Sequence, residues 1–125
     1  MILGTGIDII EVTRIAASFE KFGERFVNRI LLPDEITYCL SHKNPAPFLA
    51  VRFAAKEALF KALGTGWAEN TAFNEVEIIN DDKGKPEITL SGVTKDTIEK
   101  MGVKNVQVSL THIKSTASAV VIIEK

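Results

Sequence analysis

The feature that most constrains this chain is the run Phe48 to Leu63. It is rich in alanine and leucine, carries Phe48, Leu49, Phe53, Leu59, Phe60 and Leu63 around its circumference, and stops at Gly64. The alanine and leucine content favours a helix, and a glycine just past the last helical residue is the usual stop. A helix that is apolar over most of its girth has to be buried on most sides, so the rest of the chain must wrap it. Its few charged groups (Arg52, Lys56, Glu57, Lys61) are then expected at a boundary or a cleft.

What surrounds this helix reads in segments. Met1 to Asp8 is a short apolar strand with glycines at Gly4 and Gly6, a sign of a bulge or of close backbone approach. Val12, Ile15, Ala16, Phe19 and Phe22 then fall at helical spacing up to Gly23. Phe26, Ile30 and Leu31 suggest a second short helix, and Pro33-Asp34-Glu35 opens a third that runs to about Ser41. His42 to Pro47 is a loop. In the second half, Glu75–Ile79 and Pro86–Leu90 flank the turn signal Asp81-Asp82-Lys83-Gly84. Gly92 to Gly102 reads as an amphipathic helix with Val93, Ile98 and Met101 inward. Val106–Leu110 alternates as a strand, and Ala117–Ile123 is near-continuously apolar, which predicts a last strand buried on both faces. Strand, helices, hairpin, helix, hairpin is an α+β order, in a single domain over residues 1–125.

Composition removes several function classes. The net charge is −1, from fifteen basic and sixteen acidic side chains, so no global field favours nucleic acid or an anionic membrane. No apolar run reaches the roughly 20 residues that span a bilayer, and the amino-terminal residues do not resemble a signal peptide. One cysteine, Cys39, leaves no disulfide framework and no thiolate metal cluster. These features read as a cytoplasmic protein. Walker A, HExxH, CxxC and GxSxG patterns are all absent.

Two places carry chemistry. Asp8 stands between Ile7 and Ile9 at the end of an apolar strand, where a carboxylate needs a partner. It reads either as the N-cap of the following helix or as a ligand for a hard cation, with equal weight. Glu57 and Lys61 are four apart on the long helix, the spacing and order of a surface ion pair. On so apolar a helix they fit a cleft better. A strand-end carboxylate, a helix carboxylate and a lysine together suit magnesium bound with a phosphate, since magnesium takes one or two protein carboxylates and leaves its other positions to water and phosphate. Gly64-Thr65-Gly66 could bring backbone amides to a phosphate, although a helix stop is the commoner meaning. His112, and Lys85-Pro86 at the hairpin, read more simply as a satisfied polar residue and as turn chemistry.

Several of these motifs resemble a known family. Gly6-Ile-Asp8-Ile-Ile-Glu-Val-Thr-Arg14-Ile and Arg52-Phe-Ala-Ala-Lys-Glu57-Ala-Leu-Phe-Lys61-Ala-Leu-Gly-Thr-Gly66 resemble the two signatures of the holo-acyl-carrier-protein synthases, the small bacterial 4′-phosphopantetheinyl transferases. Gly84-Lys-Pro86 and Val108-Ser-Leu-Thr-His112 resemble its later markers, in the same order. The resemblance spans essentially the whole chain and implies the family's fold, an antiparallel sheet with one long helix packed on it, assembled as a trimer. It implies transfer of the 4′-phosphopantetheine arm of coenzyme A to a serine of apo acyl carrier protein, in fatty-acid biosynthesis, with release of adenosine 3′,5′-bisphosphate.

By the same resemblance Asp8 and Glu57 are the magnesium ligands, and Lys61 steadies the charge that develops on the transferred phosphate. The proton acceptor is Glu57 or a water on the metal. Lys61, Gly64, Thr65, Gly66, Lys85, Pro86, Thr111 and His112 are the expected coenzyme A contacts, with Thr111 and His112 approaching from a neighbouring subunit. Arg14, Arg25 and Arg29 match the family's docking positions for the acidic carrier protein. Trp67 stands where an aliphatic residue is more usual, and Thr111 where serine is also common. A non-catalytic module that binds coenzyme A or another nucleotide is the alternative, with Asp8 a cap and Glu57–Lys61 a surface pair.

Overall fold

A computed structural model describes residues 1–64 and 72–125, and in it the apolar helix is the central element. Strand β1 (Ile2–Glu11) leads into α1 (Val12–Phe22), α2 (Glu24–Ile30), α3 (Pro33–Leu40) and the long α4 (Ala46–Leu63). A single 3-10 turn, Phe73–Glu75, precedes the hairpin β2 (Val76–Asn80) and β3 (Pro86–Leu90). Helix α5 (Gly92–Lys100) and the strands β4 (Asn105–His112) and β5 (Thr116–Glu124) follow. The strands form two antiparallel sheets, β1-β5-β4 with β5 in the middle, and the hairpin β2-β3.

Helix α4 lies across β1 and β5 and supplies much of the core, with Leu49, Ala50, Ala54, Ala55, Ala58 and Leu59 wholly buried. The glycines of β1 let it come this close. A Cβ on Gly6 would stand 1.9 Å from the carbonyl oxygen of Ala58, and one on Gly4 2.2 Å from that of Ala62. The register against β5 also shifts between Ile2 and Gly4. Both meanings of a strand glycine, bulge and close approach, hold here. Gly64 closes α4 in the left-handed conformation, at φ 76°.

The charges that interrupt the apolar helix are handled in two ways. Lys56 is fully buried, and its ammonium donates to Ile30 O (2.6 Å), Glu35 Oε1 (2.8 Å) and Phe73 O (3.1 Å). Glu35 Oε1 also accepts from Leu32 N, and Oε2 from Ile78 N. One ion pair therefore ties the end of α2, the start of α3, the 3-10 turn and β2 to the middle of α4. Burial pushes the Lys56 ammonium below the ordinary lysine range, with Glu35 pulling the other way. Arg52, 2% exposed, donates from Nε to Ile78 O (3.2 Å) and lies over the Tyr38 ring at 4.5 Å.

Four sequence expectations change, the first being that Lys56, expected at a boundary or a cleft, is wholly buried in the core. Strand β1 runs three residues past Asp8, and the helix cap falls on Glu11, so Asp8 is not the N-cap of α1. On α5 it is Thr94, not Val93, that turns inward. Val93 is 49% exposed, while the Thr94 hydroxyl donates to Glu75 Oε1 (2.8 Å) and accepts from Ala72 N (3.1 Å). A tertiary hydrogen bond overrides the apolar pattern there. Strand β5 is buried on one face only, with Ala117, Ala119, Val121 and Ile123 inward, and Val120 and Ile122 half-buried on the other. That second face of the sheet also carries Ile7 and Ile9 of β1, both exposed among the described residues.

Candidate active site

Residues 4, 6, 8 and 10 of β1 turn toward α4, because side chains alternate along a strand. Gly4 and Gly6 let the strand touch the helix, and the next residue on that face is Asp8. Its carboxylate meets Lys61 rather than a helix terminus. Lys61 Nζ donates to Asp8 Oδ1 (2.9 Å) and to Ile7 O (3.0 Å). Lys61 thus pairs back to the first strand, and the alternative reading of Glu57–Lys61 as a surface ion pair does not hold.

Glu57 sits one turn before Lys61, half-buried. Burial first, and then the negative charge of Asp8, raise its carboxyl above the ordinary glutamate range, while Lys61 partly offsets them. The Glu57 carboxyl therefore feels both the Asp8 carboxylate and the Lys61 ammonium, and the ammonium is 52% exposed. Among the described residues no group of three His, Cys, Asp or Glu side chains is placed to hold a metal. The site is instead a two-carboxylate, all-oxygen donor set with surplus negative charge, which fits magnesium ligated by one or two acids with room for phosphate oxygens.

A second group of expected residues gathers near the other end of α4. A cavity of about 200 Å³ is lined by Tyr38, Phe48, Arg52, Asn80, Pro86 and His112, with Gly84 at the hairpin turn. His112 packs edge-on to Phe48 (5.3 Å between ring centroids), and His42 stacks on the opposite part of that cluster. Lys85 is exposed beside this cavity. Thr111 does not line it, because it alternates to the other side of β4, where it pairs with Ser118. Thr65, Gly66 and Trp67 lie outside the described residues.

Arg25 and Arg29 are exposed on α2 and flank a smaller cavity of about 140 Å³ with Ser18, Phe22 and Phe26. Arg14 is exposed on α1 but outside that cavity. Cys39 is buried, with its thiol pushed up to about 11 by that burial, so it offers no thiolate chemistry. Among the described residues no helix is long and apolar enough to cross a membrane.

Sequence reading missed Arg52 as a cavity residue. Nη2 of its buried guanidinium has no hydrogen-bond partner among the described residues. The signal was available: a permanently charged residue on the most apolar helix of the chain needs an anion, an acceptor or an aromatic face.

The α+β scaffold thus carries an acidic pair with a lysine on one face of its long helix and an aromatic cavity with a buried arginine on another. The chain belongs to the 4′-phosphopantetheinyl transferase superfamily, whose model matches residues 4–120. It is 49% identical, over the full length of both chains, to the holo-[acyl-carrier-protein] synthase of Maridesulfovibrio salexigens. Its fold superposes on the crystal structure of the Neisseria meningitidis holo-[acyl-carrier-protein] synthase with a TM-score of 0.92, at 38% identity and full coverage of both chains. The Helicobacter pylori enzyme, solved in complex with coenzyme A, matches at a TM-score of 0.85 and 33% identity, covering 96% of this chain and 99% of that one.

Proposed function

We propose that this chain is a holo-[acyl-carrier-protein] synthase, which moves the 4′-phosphopantetheine group of coenzyme A to a serine of apo acyl carrier protein and releases adenosine 3′,5′-bisphosphate. The observation that carries the reading is the convergence of Asp8 from β1 with Glu57 and Lys61 from α4, within a chain of this family.

Asp8 and Glu57 are the residues that would hold a divalent cation, most simply magnesium. Such an ion supplies Lewis-acid polarisation of the coenzyme A diphosphate when bound. Lys61 is exposed enough to leave Asp8 for a phosphoryl oxygen and to stabilise the charge that grows there. The phosphorus–oxygen bond to the serine forms as the bond to the nucleotide breaks, so the protein mainly has to align two substrates and match their charge. Pro86, His112 and Arg52 line the cavity for the nucleotide end, with Lys85 exposed beside it. Arg14, Arg25 and Arg29 present a basic face to an acidic carrier protein, with Phe22 and Phe26 as its apolar centre.

The acidic pair and the basic cavity do not form one cleft in the single chain. Arg52 of the cavity and Glu57 of the acidic pair are close along the α4 axis, roughly 8 Å, but about 140° apart around it, so they look out from different faces of the helix. The second face of the sheet, with Ile7, Ile9, Val120 and Ile122, is the kind of apolar surface that a second copy would bury. Both points support a trimer in which the carboxylates of one subunit face His112 and Thr111 of the next. Thr111, turned away from its own chain's cavity, has a place in such an arrangement. The reading places the protein in the cytoplasm, at the start of fatty-acid biosynthesis.

Intact-mass spectrometry of an apo acyl carrier protein, incubated with this protein, coenzyme A and magnesium, tests the function. A gain of one phosphopantetheine, abolished by a chelator, is the expected result. Coenzyme A binding with no mass change on any carrier protein would mean a binding module instead.

A further inference from the structure

We propose that Asp81 is a positioning residue for the nucleotide end of coenzyme A, acting by setting the β2–β3 turn that places Lys85 and Pro86 against the Arg52 cavity. The inference rests on coenzyme A being the substrate, and it concerns a residue that does not itself line the cavity.

Four hydrogen bonds of the turn converge on this one residue. Asp81 Oδ1 accepts from the backbone amides of Lys83 (2.8 Å) and Lys85 (2.9 Å). Asp81 N donates to Lys85 O (2.8 Å), and Asp81 O accepts from Gly84 N (2.9 Å). Both backbone polar groups of Lys85 are therefore held by Asp81. That matters because Pro86, the next residue and the first of β3, has no N–H with which to join the ladder. On the amide side the start of β3 is therefore held through Lys85, while Pro86 pairs with Asn80 of β2. Gly84, at φ 85°, permits the tight return of the chain. The base of the hairpin is fixed separately, by Asn80 Nδ2 donating to Tyr38 Oη at 3.3 Å. Pro86, Gly84 and Asn80 all line the cavity beneath Arg52. Asp81 thus controls the one wall of that cavity formed by a short, exposed turn.

The sign of the effect separates positioning from simple electrostatics. Asp81 is an acid beside a cavity meant for an anion, so by charge alone its removal should tighten coenzyme A binding. As a positioning residue its removal should weaken binding, because the Lys83 and Lys85 amides turn to water and the turn gains conformations that must be lost again on binding.

The experiment compares wild type, Asp81→Ala and Asp81→Asn by coenzyme A titration calorimetry and by steady-state transfer to apo carrier protein. Asp81→Asn keeps the Oδ1 acceptor and loses only the charge. Asp81→Ala is expected to raise the coenzyme A Kd and KM about tenfold, the scale of losing two such hydrogen bonds, with kcat and the carrier-protein KM unchanged. Asp81→Asn is expected to bind at least as tightly as wild type. Coenzyme A affinity unchanged or improved in Asp81→Ala would overturn the positioning role while leaving the transferase reading intact. Equal weakening in both variants would also overturn it, since the Oδ1 acceptor kept in Asp81→Asn would then contribute nothing to binding. A wild-type protein that neither binds coenzyme A nor modifies carrier protein would overturn the transferase reading and this role with it.

Discussion

Lys56 and Lys61 stand five positions apart on α4, and each pairs with an acid far away in the sequence, yet the two pairs have opposite characters. Lys56 and Glu35 are wholly buried, the three ammonium protons go to three acceptors, and both oxygens of Glu35 are used. Nothing is left over for a ligand. Lys61 is half-exposed, bonds to only two oxygens, and shares its surroundings with a second carboxylate that takes no hydrogen bond among the described residues. The buried pair is a fastening, and the exposed one is the pair that the proposed function uses. Saturation of the hydrogen-bonding groups, rather than charge or neighbourhood in the sequence, separates a structural ion pair from one that can do chemistry.

The contrast breaks most sharply at the buried pair. Lys56→Met leaves Glu35 charged and unpaired in the core, and the expected loss is about 3–5 kcal/mol of unfolding free energy in urea. Replacing both members together, Glu35→Gln with Lys56→Met, should recover a large part of it. A single variant within about 1 kcal/mol of wild type would show that the pair fastens nothing. At the exposed pair the effect moves from folding to rate. Lys61→Ala should keep the wild-type unfolding midpoint and lower kcat about a hundredfold, with a smaller change in coenzyme A affinity. A change in affinity alone would make Lys61 an anchor.

The smallest effect is in pH dependence. The folded-state pKa of Glu57 is raised, so between the ordinary glutamate value and its folded value the native state holds more protons than the unfolded state. In chelator-treated protein this group therefore makes stability fall as pH rises through that window, and the slope should vanish in Glu57→Gln. Unfolding curves taken at closely spaced pH values would show it. An unchanged slope in the variant would remove Glu57 as its source.

The sequence made the elements legible because they rest on local rules. The helical periods, the stops at Gly23 and Gly64, and the Asp81–Gly84 turn each act within a few residues. Asp8, Glu57 and Lys61 were also legible as a group, since an acid on an apolar strand and charges on an apolar helix are out of place. Which charge pairs with which was not. Lys61 takes Asp8, 53 positions away, in preference to Glu57 at four, because β1 crosses α4 on its glycines at just that level. The inward turn of Thr94 was hidden for the same reason, its partners Glu75 and Ala72 lying in another element. The two-sided burial read from Ala117–Ile123 is met on one side only, and a pattern of that kind is also what a strand at a subunit interface carries. Arg52 stood out as a charge on the apolar helix, but its acceptor on β2, its aromatic partner Tyr38 and the cavity they share come from other elements.

The central claim is that the Asp8–Glu57 carboxylates form the reacting end of a phosphopantetheinyl transferase site. The most direct test is the intact-mass assay on apo acyl carrier protein with wild type, Asp8→Ala and Glu57→Ala, alongside the unfolding midpoint of each. The account expects wild type to add one phosphopantetheine and both variants to be at least about a hundredfold slower, with midpoints close to wild type. Full conversion by either variant, with the fold intact, would contradict the assignment of these two acids.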